Sequence, residues 1–220
     1  MLFLPILFLI LAKNTRTMPP IVNRYPQISI LDDLKQYRGA AFAVPAIYFI
    51  AVMTLWGQGR VLWCQAGDMS PWSWDIWSQH NSQHIVDPYA FTHVLHGVLE
   101  FWLIGLFFKR MPLAWRLVLA VAVEAVWEIA ENSPFIIERY RAVTVSLDYF
   151  GDSIINSIAD ITCCLTGFVI AHKLRFLRSV FLFIATEIIL IFWIHDSLVI
   201  NIIMLIHPIE ALKAWQMSGH

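Results

Sequence analysis

Charge is scarce in this chain. Only 14% of its residues are Asp, Glu, Lys or Arg, 59% are hydrophobic, and the mean hydropathy is +0.65. Soluble domains carry about 25% charged and about 45–50% apolar residues, so a water-soluble globular domain is excluded. A basic excess is missing too. The net charge is −1, which removes nucleic acid as a partner. Cysteine is sparse: Cys64, and the adjacent pair Cys163 and Cys164 inside an apolar run. That odd count gives no disulfide framework. The His-Glu-X-X-His zincin motif, the Gly-X-Ser-X-Gly nucleophile elbow and a glycine-rich phosphate loop are all absent. The apolar run 1–12 has no basic n-region and is too short to span a bilayer comfortably.

What the chain has in abundance is long apolar stretches. They predict an all-α fold, a polytopic membrane helix bundle with about five transmembrane helices near 39–57, 89–108, 113–131, 152–172 and 179–195. A further apolar patch, Leu198 to Ile206, is too short to span and reads as interfacial or re-entrant. Residues 1–38 form an N-terminal cytoplasmic extension, and 39–216 a single transmembrane domain. That domain includes an extracytoplasmic loop, 58–88, with Trp63, Trp72, Trp74 and Trp77 suited to the interface. Lys109, Arg110 and Arg116 mark one cytoplasmic turn, and Lys173, Arg175 and Arg178 another. By the positive-inside rule the N-terminus is cytoplasmic.

The chemistry centres on residues 79–100. His80 and His84 are four apart; His93, His96 and Glu100 are spaced three and then four, one helical face, with Asp87 between the pairs. The third helix carries Glu124, Glu128 and Glu131, the fourth Asp152, Asn156 and Asp160, and the fifth Glu187, His195 and Asp196. At about 1.5 Å per residue these sort into an outer histidine-and-acid layer and a deeper layer of Glu100, Glu124, Asp160 and Glu187. A charge at mid-bilayer costs at least about 2.5–3.5 kcal/mol, and no lysine or arginine accompanies the deep acids. Protons, polar neighbours or a cation must offset them.

Histidine with carboxylates is the ligand set of zinc and of non-haem iron or manganese. His93, His96 and Glu128 are the expected divalent-metal ligands. His84, Glu131 and Asp152 are the expected acid–base groups. Arg139, Arg141 and Asn156 are the expected substrate-binding groups, with the arginines clamping an anionic headgroup. Ser153 reads more readily as a helix cap than as a nucleophile.

Three stretches, HNSQHIVDPYAFTHVLHG, PLAWRLVLAVAVEAVWEIAENSPFIIERYRAVTVSLDYFGDSIINSIADI and HDSLVINIIMLIHPIEALKAWQ, closely resemble an uncharacterised, mainly alphaproteobacterial membrane-protein family, domain of unknown function 2585. The resemblance runs from Gln58 to Gln216. Cys64-Gln-Ala-Gly67 keeps one cysteine where the family pattern has Cys-X-Cys-Gly. The resemblance implies a multi-pass inner-membrane protein and no particular activity.

Three readings follow from the residues. One is a metal-dependent membrane hydrolase or transferase, its periplasm-facing site acting on an anionic or lipid-like substrate. The second is a proton- or cation-coupled transporter using the deep acids. The third is a scaffold whose polar residues join helices. The apolar inner halves of the helices, such as Leu103 to Phe108 and Leu165 to Ala171, favour a pocket open to one side over a through path.

Overall fold

A computed structural model describes residues 29–143 and 149–219. The apolar start at 1–12 and most of the expected N-terminal extension lie outside them. Within the described residues there are eight helices, and no strand beyond an isolated bridge between Trp72 and Val86. In chain order they are α1 Ile30–Gln36, α2 Arg38–Gly57, α3 Ala90–Phe107, α4 Leu113–Glu131, α5 Pro134–Val143, α6 Ile154–Ile194, α7 Leu198–Ile206 and α8 Glu210–Met217. The all-α expectation holds.

Three of these, α2, α3 and α6, are long and apolar enough to cross a membrane. α4, with 19 residues, is close in length to α2 and α3 but carries Arg116, Glu124, Glu128 and Glu131. Large apolar side chains stand exposed along the bundle: Phe42, Phe49 and Trp56 on α2, Val123 and Val126 on α4, and Phe181, Ile188 and Phe192 on α6. Such a belt has no place in water and suits lipid.

α6 contains 41 residues, which as a straight rod would reach about 60 Å. Instead the chain turns back at Arg175, whose φ of 67° and ψ of 172° leave the helical region. Contacts with α3 trace the reversal. From His93 through Gly97 to Phe101, the partners on the first limb advance from Asp160 through Cys164 to Phe168 and His172. On the second limb they run the other way. Trp102 meets Phe176, Ser179 and Phe183, whereas Phe91 meets Trp193. The first limb is parallel to α3 and the second antiparallel, as expected for two segments joined at the basic turn 173–178.

Glycine sets the closeness of α3 and the first limb. A Cβ on Gly97 would lie 1.8 Å from the Cys164 carbonyl oxygen, and one on Gly167 would lie 1.9 Å from that of Val94. The two backbones therefore touch directly, and that contact carries His93 to within 3.8 Å of Asp160. Gly97→Ala and Gly167→Ala are each expected to cost about 1–3 kcal/mol. A thermal melt in detergent checks this. Gly57→Ala, where nothing lies within 4 Å of the added carbon, is the control and should leave the Tm unchanged.

The turn between α3 and α4 lies at one end of the bundle, with the Arg175 reversal. There the buried Arg116 side chain donates to the Lys109 and Met111 carbonyls at 2.8 Å, and Asp33 of α1 accepts from Ala114 N at 2.6 Å. The remaining connections gather at the opposite end. Arg139 of α5 donates to the Leu205 carbonyl at the end of α7, and Lys213 of α8 donates to the Ala142 carbonyl at 2.9 Å. The patch expected to be interfacial or re-entrant is thus a short helix, α7, packed over this end.

Candidate metal centre

α3 starts and α4 ends at the loop-covered end, and the first limb of α6 starts there too. His93 on α3 lies with Nδ1 2.6 Å from Glu124 Oε1 and 3.4 Å from Glu128 Oε1, and with Nε2 3.8 Å from Asp160 Oδ2. His96 Nδ1 is 3.0 Å from both Glu124 oxygens. Three helices therefore supply nitrogen and oxygen donors to one point. Two overlapping sets, His93/His96/Glu124 and His93/Glu128/Asp160, have donor atoms within 4.8 Å of one another, and Glu128 also joins Glu131 and Asp152 in a third.

The cluster borders a cavity of about 260 Å³. His93, His96, Glu131, Asp152 and Asp160 line it on the polar side, and Leu198, Ile202 and Leu205 of α7 on the apolar side. Asn132, just past the end of α4, organises the mouth. Its amide donates to Asp152 Oδ2 at 2.7 Å and to the Glu128 carbonyl at 3.0 Å, and its oxygen accepts from Asp152 N at 2.7 Å. Tyr149 OH donates to Asp152 Oδ1 at 2.8 Å, and Tyr140 hydrogen-bonds Glu131. The two tyrosine rings meet edge-on, 5.5 Å apart.

Burial dominates the electrostatics of the surrounding loops. It pushes Asp152 up to about 6, although Tyr149 and Asn132 stabilise its charged form. Asp87, which accepts from Ser82 N, Tyr89 N and Ala90 N, is pushed up to about 6 by the same cause, and Asp196 to about 7. Burial also drives the phenols of Tyr140 and Tyr149 well above their usual range. Among the described residues, the ion pairs of the cluster all join a histidine to a carboxylate. Both carboxylate oxygens of Glu128, which is fully buried, and Oδ1 of Asp160 have no hydrogen-bond partner.

The expected two-layer sorting does not survive. Counted from the observed helix ends, His96 and Asp160 each lie six residues in and Glu124 seven, a common depth of about 9–10 Å. Glu124 and Asp160 therefore belong with the histidines. For Asp160 the difference comes from the start of the helix, since Gly151 to Ser153 precede α6. For Glu124 the helix ends are as expected, and its seven residues from the end of α4 already match the depth of His96. Glu100 does lie deeper, where it accepts from Cys164 Sγ at 3.0 Å. Glu187 is elsewhere. Its oxygens accept from Leu198 N and Val199 N at 3.0 and 3.2 Å, capping the start of α7, where the helix dipole favours a carboxylate.

Other expected site residues stand apart from the cavity. Arg139 spends its guanidinium on the Leu205 carbonyl and Arg141 on the Tyr149 carbonyl, and neither lines the cavity, so the headgroup-clamp expectation is corrected. Asn156 donates to the His84 carbonyl at 2.8 Å, outside the lining. His84 faces Cys64 and His80 instead of the cavity, so it is not positioned as a base there. Ser153 caps α6, its oxygen accepting from Asn156 N at 3.1 Å. Sequence reasoning missed Asn132, Tyr140, Tyr149 and the wall of α7. Only Asn132 had a local signal, an Asn just past a helix end.

The family described as Protein of unknown function (DUF2585) matches residues 55–218. A UPF0314 protein of Brucella anthropi is 46% identical over 176 residues, 80% of this chain and 89% of its own length. One from Paracoccus denitrificans is 44% identical over 170 residues, 77% and 88% respectively. One from Rhizobium meliloti is 41% identical over 186 residues, 84% and 94%. No solved structure matches the chain.

Proposed function

The chain belongs to the DUF2585 family of proteins of unknown function, and we propose that it is a membrane enzyme using a divalent metal, zinc, iron or manganese, held by His93, His96, Glu124, Glu128 and Asp160. Its reaction is hydrolysis or group transfer on an anionic or lipid-like substrate. The observation that carries this reading is Glu128: a fully buried carboxylate with both oxygens lacking a hydrogen bond, facing histidines and other acids. Two carboxylates about 4 Å apart repel by about 4 kcal/mol even at an effective dielectric of about 20. A divalent cation removes that repulsion and gives the orphaned oxygens a partner. When bound, it supplies Lewis acidity and a water of lowered pKa.

The chain's own residues would do the rest. Asp152 and Glu131, each hydrogen-bonded to a tyrosine at the mouth, are placed to accept or return a proton. Leu198, Ile202 and Leu205 offer an apolar wall to an acyl or similar group. The turnover test uses metal-loaded protein in nanodiscs of anionic or zwitterionic lipid, with products read by mass spectrometry. Metal-dependent product that disappears in His93→Ala supports the reading. Bound metal with no product from either lipid overturns the lipid-directed reaction.

A cation- or proton-coupled carrier is the second reading, favoured by Glu100, which reaches toward Glu124 below the histidines. Beyond Glu100, α3 is apolar to its end at Phe107, which favours a closed pocket.

The site end faces the periplasm in this proposal, and the membrane is the bacterial inner membrane. Lys109 and Arg110 follow α3 at the other end, beside the reversal carrying Lys173, Arg175 and Arg178, and basic residues mark cytoplasmic ends. Reporter fusions after Arg110 and after Arg141 are expected to read cytoplasm and periplasm. The reverse pair would turn the site inward.

A further inference from the structure

We propose that Cys64, His80 and His84 form a second metal site, binding zinc, separate from the cavity cluster, that pins the Gln58–Tyr89 loop over the cavity mouth. This loop joins α2 to α3 and contains no helix. Connections longer than about 12–15 residues without regular structure are uncommon and are usually functional. Yet Cys64, Gln83, His84 and Asp87 inside it are buried, so something beyond an apolar core holds it.

Cys64 Sγ lies 3.3 Å from His80 Nδ1, and His84 Nε2 lies 3.3 Å from the same nitrogen. His84 Nδ1 is hydrogen-bonded to the Ser70 carbonyl oxygen. A carbonyl only accepts, so Nδ1 carries the proton and the Nε2 lone pair points at the cluster. This is the arrangement that orients a metal-ligating imidazole. The Trp63 ring packs edge-on against His84, 5.6 Å away.

Hydrogen bonds alone do not satisfy this group. If the thiol donates to His80 Nδ1, that nitrogen is an acceptor, and its lone pair faces the lone pair of His84 Nε2. If His80 Nδ1 carries the proton and gives it to His84, the sulfur is left without that donor. A tetrahedral zinc ion removes the conflict, because all three atoms become ligands. Bond lengths of about 2.0–2.1 Å to nitrogen and about 2.3 Å to sulfur place tetrahedral neighbours roughly 3.3–3.6 Å apart. The two separations to His80 Nδ1 are 3.3 Å, and all three donor atoms lie within 4.8 Å of one another. The His-X-X-X-His spacing and a single thiolate suit zinc. Water completes the set.

The three ligands do not line the cavity, but Asn81 and Ser82, between the two histidines, do. Ser82 has a φ of 57°, and its carbonyl accepts from Ser153 N at 3.0 Å. Zinc at Cys64, His80 and His84 would thus hold a strained segment against the start of α6.

Cobalt(II) substitution tests the site separately from the cavity cluster, which contains no thiolate among its proposed ligands. Protein stripped with chelator and reloaded with cobalt is expected to show thiolate-to-cobalt charge-transfer absorption in the near ultraviolet. The band should persist in His93→Ala/His96→Ala and vanish in Cys64→Ser and in His84→Ala, while a Cys163→Ser/Cys164→Ser variant retains it. Circular dichroism confirms that each variant is helical. Should Cys64→Ser not fold, zinc protection of Cys64 in the wild-type protein replaces it: maleimide labelling, located by peptide mass, is expected to slow at least about tenfold with zinc. Absence of the band in helical wild-type protein overturns the site, as does a band surviving Cys64→Ser or labelling unaffected by zinc.

Discussion

The double substitution His93→Ala/His96→Ala is expected to empty the cavity of metal while leaving the helices in place. His93 is the hub: its two ring nitrogens face carboxylates from α4 and from the first limb of α6. His96 holds the other side of Glu124. Removing both takes away the imidazole ligands and leaves only carboxylates, which bind borderline metals far less selectively. Elemental analysis should fall by about one equivalent per chain, with affinity lost by at least about a hundredfold, since even supporting groups around a metal cost 10–100-fold. Binding in the intact protein should also weaken in acid, because these ligands must shed protons to coordinate. Unchanged metal content in the double variant would move the ion elsewhere. The loop site at Cys64, His80 and His84 is an independent store, so Cys64→Ser is the proper background for the measurement.

Glu128→Gln is expected to change stability in opposite directions with and without metal. In metal-free protein, Glu128 is a buried carboxylate without hydrogen bonds beside Glu131, Asp152 and Asp160. An amide cannot ionise among these acids and adds a donor aimed at its neighbours. A gain of about 1–3 kcal/mol follows from relieving an unsatisfied buried group, worth about 2–4 °C per kcal/mol for a chain of this size. With metal present the same change removes a ligand, so the stabilisation conferred by binding shrinks. Thermal melts in detergent with chelator and with added zinc give the two signs. A fall in both conditions would mean that Glu128 serves the apo fold through contacts other than a metal, and a rise in both would mean that no metal uses it.

Much of the fold was legible because its signals are local. Runs such as Arg38–Gly57 and Ala90–Phe107 announce themselves by length and composition, and the reversal at Arg175 falls among clustered basic residues. The histidine spacing on α3 also pointed to one face. What stayed hidden depends on where helices meet. The depth of Asp160 depends on where α6 starts, two residues later than the apolar run suggests, and the depth of Glu124 only gains meaning once its helix is set beside α3. The meeting of Asp160 with His93 follows from the close packing of α3 and α6 at Gly97 and Gly167, which a list of apolar residues does not reveal. Arg139 and Arg141 looked free because nothing in sequence places Leu205 and Tyr149 beside them. The pairing of Cys64 with His80 and His84 spans a loop with no periodicity to read.

Metal-edge X-ray absorption on the Cys64→Ser protein, purified without chelator at neutral pH, tests the central claim most directly. With the loop site disabled, the account predicts one bound divalent metal with a first shell of nitrogen and oxygen at about 2.0–2.2 Å, imidazole scattering and no sulfur. That signal should vanish on His93→Ala/His96→Ala. Protein that is folded but carries no metal, or a metal shell without imidazole, would contradict it.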